Sequence, residues 1–132
     1  MFYTPKLGEE LMNENLRRSG IDIIGDVPWG THICQFYDSK EDLKEILVPY
    51  FETGLENNEF CLWITVQPLE VEDAKEALRG AISDFESYLA KGQIEIISYN
   101  CLQVARHIYD SERVINYWIE KLNSALGSGY MG

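Results

Sequence analysis

The sequence predicts an α/β fold, a three-layer parallel sheet with flanking helices, and three observations support it. The chain has 132 residues, of which 45% are hydrophobic and 25% charged, the balance of a globular domain. Apolar runs of strand length recur along it, separated by segments whose apolar residues are spaced by threes and fours. The resulting order, β-α-β-α-β-loop-α, is typical of parallel strands joined by right-handed crossovers.

Two units are expected along the chain: an N-terminal helical segment over residues 1–20 and the α/β domain over residues 21–132. Within the first, leucines at helical spacing predict a weakly amphipathic helix over residues 6–19. Residues 21–30 contain Gly and Pro and are interpreted as an extended lead-in. Residues 31–37 are mostly apolar and aromatic, which predicts a first strand buried on both faces.

The first helix of the domain is predicted from a capping pattern and an apolar stripe. Ser39 and Asp42 resemble a capping box, with Asp in place of the usual Glu or Gln. Pro49 lies inside the helix and is expected to bend it. The residues expected on its buried face are Leu43, Ile46, Leu47, Tyr50, Phe51 and Leu55. Residues 60–66 then predict the second buried strand.

The rest of the chain predicts two further helices and one strand. A long helix is expected over residues 71–89, with Gly80 as a weak point inside it and Gly92 as its stop. Residues 94–97 predict a third strand. A last helix is expected to begin near residue 110 or 111 and to end at Gly127.

Charge and composition restrict the function and the location. The formal net charge is −11, from 22 acidic and 11 basic residues, so binding to nucleic acid or to an anionic membrane surface is disfavoured. No apolar run approaches the about 20 residues of a membrane span, and the N-terminus has no signal-peptide pattern. Three cysteines without Cys-x-x-Cys spacing fit a reducing compartment. We therefore expect a cytoplasmic protein.

The turn after the first predicted strand argues against nucleotide hydrolysis. A phosphate-binding loop would be rich in glycine and end in Gly-Lys-Ser or Gly-Lys-Thr. Residues 37–42 contain no glycine, and three carboxylates surround Lys40. This turn would repel a triphosphate and lacks the glycines that let a backbone wrap one, so we expect no enzymatic activity of this kind.

Residues 25–37, which contain the core His32-x-Cys34-x-Phe36-Tyr37, resemble the opening signature of the MEDS domain, the methanogen/methylotroph sensory domain named after a dichloromethane-responsive regulator. The likeness continues at residues 46–51, 54–61, 63–65, 110–114 and 129–132. It implies a RecA/KaiC-like fold that has lost its phosphate loop. It also implies an input module of archaeal or bacterial signalling proteins, joined to histidine kinase, PAS or DNA-binding domains, with small hydrocarbon derivatives as ligands.

The chain departs from this pattern in two places. Residues 100–107 stand where the family usually has an aromatic, glycine-containing segment, so any pocket wall there would differ. The sequence stops at Gly132, where the family continues into further strands, which predicts a domain truncated at its C-terminus. A sheet that stops short would expose an edge, and we therefore expect a homodimer. Either the chain's own sheet or a neighbouring chain is expected to hold the tail.

The candidate ligand site lies around the first strand and the strand ends. His32, Cys34 and Phe36 would share one face of that strand, because strand side chains alternate. The predicted ligand-binding residues are His32, Cys34, Phe36, Tyr37, Trp29, Trp63 and Thr65. The alternative is that these side chains only fill the core, with Cys34 as a small hydrophobe and His32 hydrogen-bonded beside it.

Two more specific interpretations of this site, a zinc site and a catalytic Cys–His pair, are disfavoured. A zinc site would combine His32 and Cys34 with Cys61 or Cys101, but structural zinc ligands usually sit on loops or tight turns. A catalytic Cys34–His32 pair would need electropositive surroundings, and these are acidic and apolar. No metal, cofactor or catalytic residue is therefore predicted.

The function predicted from the sequence is signal input. A small apolar molecule would bind near the strand ends and change how the domain meets a kinase or a transcriptional output. The rival interpretation is a protein-interaction module without a small-molecule ligand, and the third is a degenerate KaiC-like ATPase.

Overall fold

The computed structural model describes residues 15–100 and 111–132. Along them lie two short strands, β1 (Leu16–Arg18) and β2 (Asp26–Pro28), and helix α1 (Lys40–Glu56). Strand β3 (Cys61–Thr65), helices α2 (Val71–Ala81) and α3 (Phe85–Ala90), strand β4 (Ile94–Ser98) and helix α4 (Ser111–Gly127) follow. The chain is thus of the mixed α/β class.

Strands β3 and β4 form the central pair and run parallel, with Cys61 opposite Ile94 and Thr65 opposite Ser98. Both come from apolar runs at the positions that the sequence predicts. Alternate side chains of the pair, including Trp63 and Ile96, join the core cluster that α1, α2 and α3 cover. In the described residues the predicted parallel sheet therefore has two strands.

Helix α1 begins where the capping pattern predicts. The Ser39 side chain accepts a hydrogen bond from the Asp42 backbone N–H at 3.1 Å, and the Asp42 carboxylate accepts one from the Ser39 N–H at 3.1 Å. These two bonds satisfy backbone donors that a helix start leaves unpaired. Phe51 and Leu55 on the predicted apolar face are buried in the core.

The prediction of one long helix over residues 71–89 is wrong, because the chain divides it. Ile82 follows α2 in an extended conformation (φ −111°, ψ 112°), and α3 begins at Phe85. The break lets Ile82 and Phe85 both enter the core, with 8% and 1% of their surface exposed. Burial of both side chains outweighs continuation of the helix past Gly80.

The N-terminal helix prediction fails in its last turn, since Leu16–Arg18 is a strand that pairs antiparallel with β2. Gly20 turns the chain with φ +75°, and a Cβ at this position would lie 2.3 Å from the Pro49 carbonyl oxygen. Only glycine fits there, so the chain leaves β1 through a tight turn against α1. The remainder of the predicted helix, residues 6–14, lies outside the described residues.

Residues 31–37 form no strand, which contradicts the sequence prediction, and every one of them is exposed. Side-chain hydrogen bonds that they form to other described residues are local, as between the Gln35 amide and the Phe36 carbonyl oxygen at 2.9 Å. A strand needs a neighbour to pair with its backbone, and no strand within residues 15–100 and 111–132 pairs with this segment. The predicted burial on two faces is therefore absent.

The C-terminal tail is held by the chain itself, as one of the two predicted arrangements has it. The Phe60 N–H donates to the Gly132 carbonyl oxygen at 2.8 Å, and the Met131 N–H donates to that of Asn58 at 2.9 Å. The Asn58 side chain adds a bond to the Gly129 carbonyl oxygen at 3.0 Å. Together these bonds fix the tail beside the start of β3.

Candidate functional site

A buried ion pair lies beside the start of β3, between Arg17 of β1 and Glu59. Arg17 Nη2 is 2.6 Å from Glu59 Oε2, and Nε donates to Oε1 at 3.0 Å. The two side chains are only 10% and 8% exposed. Such a two-point contact matches the planar guanidinium to the carboxylate and fixes both groups.

Aromatic rings complete the surroundings of the Arg17 guanidinium. Its Nη1 donates to the Tyr50 hydroxyl at 3.2 Å, and its Cζ lies 5.0 Å from the Tyr50 ring centroid and 5.6 Å from that of Trp29. Burial acts to lower the pKa of Arg17, but the hydrogen bond to Glu59 and electrostatic interactions with Tyr50 and Glu59 leave that pKa raised. Arg17 is therefore a fixed cation among aromatic faces.

Cys61 lies next to this pair and is 6% exposed. Burial, together with the negative charge of Glu59, raises the pKa of its thiol to about 12, although Arg17 acts in the opposite direction. The thiol is therefore neutral at physiological pH, and a neutral thiol is a poor nucleophile. This environment does not favour covalent chemistry at Cys61.

Gly54 of α1 makes room for the cluster. A Cβ at this position would lie 3.0 Å from Cys61 Sγ and 3.3 Å from Glu59 Oε2. Residue 54 is buried, so a larger side chain could not turn outward to solvent. Close approach of α1 to β3 therefore depends on glycine here.

A cavity of about 280 Å³ opens beside this cluster, between α1, the start of β3 and α4. Apolar side chains dominate its wall, and its ionic groups come from the Arg17–Glu59 pair and from Lys121. Its lining residues are Arg17, Tyr50, Phe51, Gly54, Glu59, Phe60, Cys61, Leu62, Trp118, Lys121, Leu122, Ala125 and Gly132.

Helix α4 supplies the outer wall of this cavity through Trp118, Leu122 and Ala125. An ion pair between Lys121 and Glu95 of β4 ties the helix to the strand pair. The hydrogen bond to Glu95 is the main cause that raises the pKa of Lys121. Among the described residues of the cavity wall, the cation from α4 is thus already paired with a carboxylate.

Four of the seven residues predicted to bind a ligand lie outside this cavity, on the exposed segment. They are His32, Cys34, Phe36 and Tyr37, and Phe36 is 89% exposed. Since no strand forms there, the face that three of them were expected to share is absent. Their role in ligand binding stays a prediction.

The other three predicted residues lie closer to the cavity. Trp29 contacts the Arg17 guanidinium, and Trp63 stacks on the cavity-lining Phe51 with ring centroids 4.8 Å apart. Thr65 is buried at the end of β3, where its hydroxyl donates to the Ile97 carbonyl oxygen at 3.4 Å. Trp63 and Thr65 therefore sit in the core, while Trp29 borders the cavity.

Sequence reasoning missed the central residues of this site, Arg17 and Glu59. In the sequence, Arg17 is distinguished only by its neighbour Arg18, since the two are the only adjacent Lys or Arg residues. Glu59 stands directly before Phe60, at the start of an apolar strand. A single carboxylate beside a buried strand was the one sequence feature that could have indicated a buried ion pair. Nothing local links two residues 42 positions apart.

The described residues contain neither a cluster of metal ligands nor a helix that could span a membrane. Within residues 15–100 and 111–132, no three His, Cys, Asp or Glu side chains are grouped so that they could hold a metal ion. No helix in the same part of the chain has the length and apolar character to cross a membrane. Cys101, a member of the hypothetical zinc set, lies outside the described residues.

Comparison with models of protein families identifies a match over most of the chain. The family model described as MEDS, the methanogen/methylotroph, DcmR sensory domain, matches residues 31–132. Comparisons with curated proteins and with solved structures find no match. The matched stretch includes α1, β3, β4 and α4 and the residues that they contribute to the cavity. The chain therefore belongs to the MEDS family of sensory domains.

Proposed function

We propose that this domain is a signal-input module that binds a small, uncharged, largely apolar molecule in the cavity beside Arg17 and Glu59. The observation that carries the proposal is the cavity itself, about 280 Å³ in volume and lined mainly by apolar side chains. This volume lies just below the range typical of sites for drug-sized ligands, so it suits a molecule of a few heavy atoms.

The charges around the cavity favour an uncharged ligand. Arg17 already contacts Glu59 through two nitrogens, Lys121 is paired with Glu95, and the Cys61 thiol is neutral. An ionised ligand would lose its hydration and find no unpaired opposite charge among these groups. An apolar molecule would lose little hydration and would gain contact with rings such as Phe51 and Trp118.

The relay would pass through the helix that closes the cavity. Helix α4 contributes Trp118, Leu122 and Ala125 to the wall, so a ligand that changes their packing would bias the position of the helix. A kinase or transcriptional output could detect that change. We further propose that the protein is cytoplasmic, has no catalytic activity and has a RecA/KaiC-like sheet without a phosphate loop.

A pair of matched variants tests the ligand site. Leu122 and Leu126 are both 51% exposed on α4, but only Leu122 lines the cavity. Small chlorinated and methylated compounds should raise the melting temperature of the unaltered protein. A ligand at a hundred times its Kd adds about 2.7 kcal/mol to the free energy of unfolding.

The response should vanish in Leu122→Trp, whose larger ring would fill the cavity mouth, and persist in Leu126→Trp. If both variants respond as the unaltered protein does, the ligand binds elsewhere, and the exposed segment with His32 and Cys34 becomes the next candidate. If no compound of this class produces a shift, the ligand-binding proposal is wrong.

A second candidate function is protein interaction, which the exposed apolar face of α4 favours, although two of its residues, Trp118 and Leu122, also line the cavity. Ile115, Trp118, Ile119, Leu122 and Leu126 are between 46% and 56% exposed and follow helical spacing. We propose that a second copy of the chain covers this face, which gives the homodimer expected from the sequence. Light scattering at tens of micromolar should give twice the 15.2 kDa monomer mass, and a monomer would contradict this proposal.

A further inference from the structure

One edge of β3 carries backbone groups without a strand partner in the described part of the chain. The Cys61 N–H donates to the Gln93 carbonyl oxygen at 2.9 Å, on the side where β4 pairs. The Phe60 N–H donates to Gly132 on the opposite side. Because successive backbone groups of a strand alternate in direction, the N–H groups of Leu62 and Ile64 face that opposite edge.

The residues that flank the exposed segment over residues 31–37 lie near the two ends of β3. At its start, the Trp29 ring packs against Gly132, where a Cβ would lie 2.4 Å from Trp29 Cζ3. Gly132 in turn bonds to Phe60, next to the first residue of β3. The segment therefore begins near the amino end of β3.

Its other end lies near the carboxyl end of the same strand. Lys40, the first residue of α1, forms an ion pair of 3.4 Å with Asp73 in the first turn of α2. Helix α2 follows β3 along the chain after a short connection. The segment must therefore run from the amino end of β3 to its carboxyl end, in the same direction as β3.

Length and composition also suit a strand at this place. Seven residues in extended conformation span about 23 Å, and the five residues of β3 span about 16 Å. The segment is rich in β-branched and aromatic residues, and its Phe36 is 89% exposed in the structure. Docking of the segment would reduce the exposure of this large apolar side chain to water.

We propose that residues 31–37 add to the open edge of β3 as a third, parallel strand. The docked segment accepts hydrogen bonds from the N–H groups of Leu62 and Ile64, while Gly132 keeps the bond from Phe60. Docking is a property of the chain alone and goes beyond the proposed ligand-sensing function. It holds or fails whether or not the cavity binds a ligand.

Amide hydrogen exchange, followed residue by residue by NMR on the full chain without ligand, tests the proposal. Trp63 is the internal reference, because its N–H lies on the β4 side of the same strand. If the segment docks, Leu62 and Ile64 should exchange within about tenfold of Trp63, and amides of residues 31–37 should be protected at every second position. Exchange of Leu62 and Ile64 about a hundredfold or more faster than Trp63 would overturn the proposal.

Two further measurements exclude other causes of protection. Protection that rises with protein concentration would assign the edge to a strand from a second copy and would also overturn the proposal. Cys34→Pro and Gln35→Pro each remove one N–H, and only one of these neighbouring residues can direct its N–H toward β3. Docking predicts that one variant loses the protection of Leu62 and Ile64 while the other keeps it, whereas equal behaviour of the two contradicts it.

Discussion

The buried ion pair beside β3 makes a quantitative prediction through the variant Glu59→Gln. The substitution keeps the shape of the side chain but removes the negative charge that faces Arg17 at 2.6 and 3.0 Å. Arg17 stays charged in the variant as well, because a guanidinium group is not deprotonated in proteins. The variant thus leaves a cation in a place where its side chain is only 10% exposed.

The expected loss of stability follows from that burial. Removal of one partner from a buried ion pair costs about 3–5 kcal/mol in free energy of unfolding. The remaining amide oxygen of Gln still accepts one hydrogen bond, so we expect the lower end, about 3 kcal/mol. With a urea slope of about 2 kcal/mol per molar for a chain of this size, the midpoint should fall by about 1.5 M.

Glu95→Gln is the matched control for this experiment. It makes the same chemical change in the Lys121–Glu95 pair, whose side chains are 30% and 35% exposed. Solvent screens that pair, so the loss should stay below about 1 kcal/mol. A urea titration followed by tryptophan fluorescence measures both variants under one set of conditions.

A double variant shows whether the loss of stability comes from the unpaired Arg17 charge or from the loss of packing at residue 59. Arg17→Met combined with Glu59→Leu removes both charges and keeps apolar volume, and it should recover most of the stability that Glu59→Gln loses. If Glu59→Gln costs no more than Glu95→Gln, the Arg17 cation is solvated in solution and the reasoning fails. If the double variant is as unstable as Glu59→Gln, packing rather than charge decides the effect.

Two further predictions concern the same region, and a third concerns nucleotide binding. Gly54→Ala should lower the free energy of unfolding by about 1–3 kcal/mol, because its Cβ would lie 3.0 Å from Cys61 Sγ. Cys61→Ala should relieve part of that loss in a double-mutant cycle measured by urea unfolding. Strictly additive losses would contradict the contact between the two residues. The thiol pKa of Cys61 rises from 9.0 to about 12 on folding, so the folded state holds this proton more tightly and stability should fall between pH 9 and 12, by up to about 1.4 kcal/mol per pH unit. Cys61→Ala should lose that part of the pH dependence, and an unchanged profile would show that the thiol is solvated. ATP or GTP with Mg²⁺ should leave the melting temperature unchanged, and a saturable rise would refute the exclusion of nucleotide binding.

The elements that sequence patterns predict well are those specified by local chemistry. The capping pair Ser39 and Asp42 and the apolar stripe after it place α1, and continuous apolar runs place β3 and β4. Gly127 likewise ends α4 at the predicted residue. In each case the residues that specify the element lie within a few positions of each other.

The features that sequence patterns miss depend on distant contacts. The break between α2 and α3 is decided by burial of Ile82 and Phe85 in the common core. Pairing of Arg17 with Glu59 requires the β1 hairpin to lie beside α1, which no spacing rule expresses. The segment over residues 31–37 has the composition of a strand, but composition cannot supply the neighbour that a strand needs.

The cavity and the open edge of β3 involve the same few residues of the chain, since Phe60 and Leu62 line the cavity and also direct their N–H groups toward the edge. A molecule in the cavity and a strand on the edge would therefore compete for neighbouring space, and their binding free energies would be linked. Such linkage is reciprocal. If docking of the segment lowers the affinity for the ligand by a given factor, bound ligand lowers the docking equilibrium constant by the same factor. A coupling of about 1.4 kcal/mol would change either equilibrium tenfold. The exchange rate of a single amide, that of Leu62, would then titrate with ligand and report occupancy of the cavity directly.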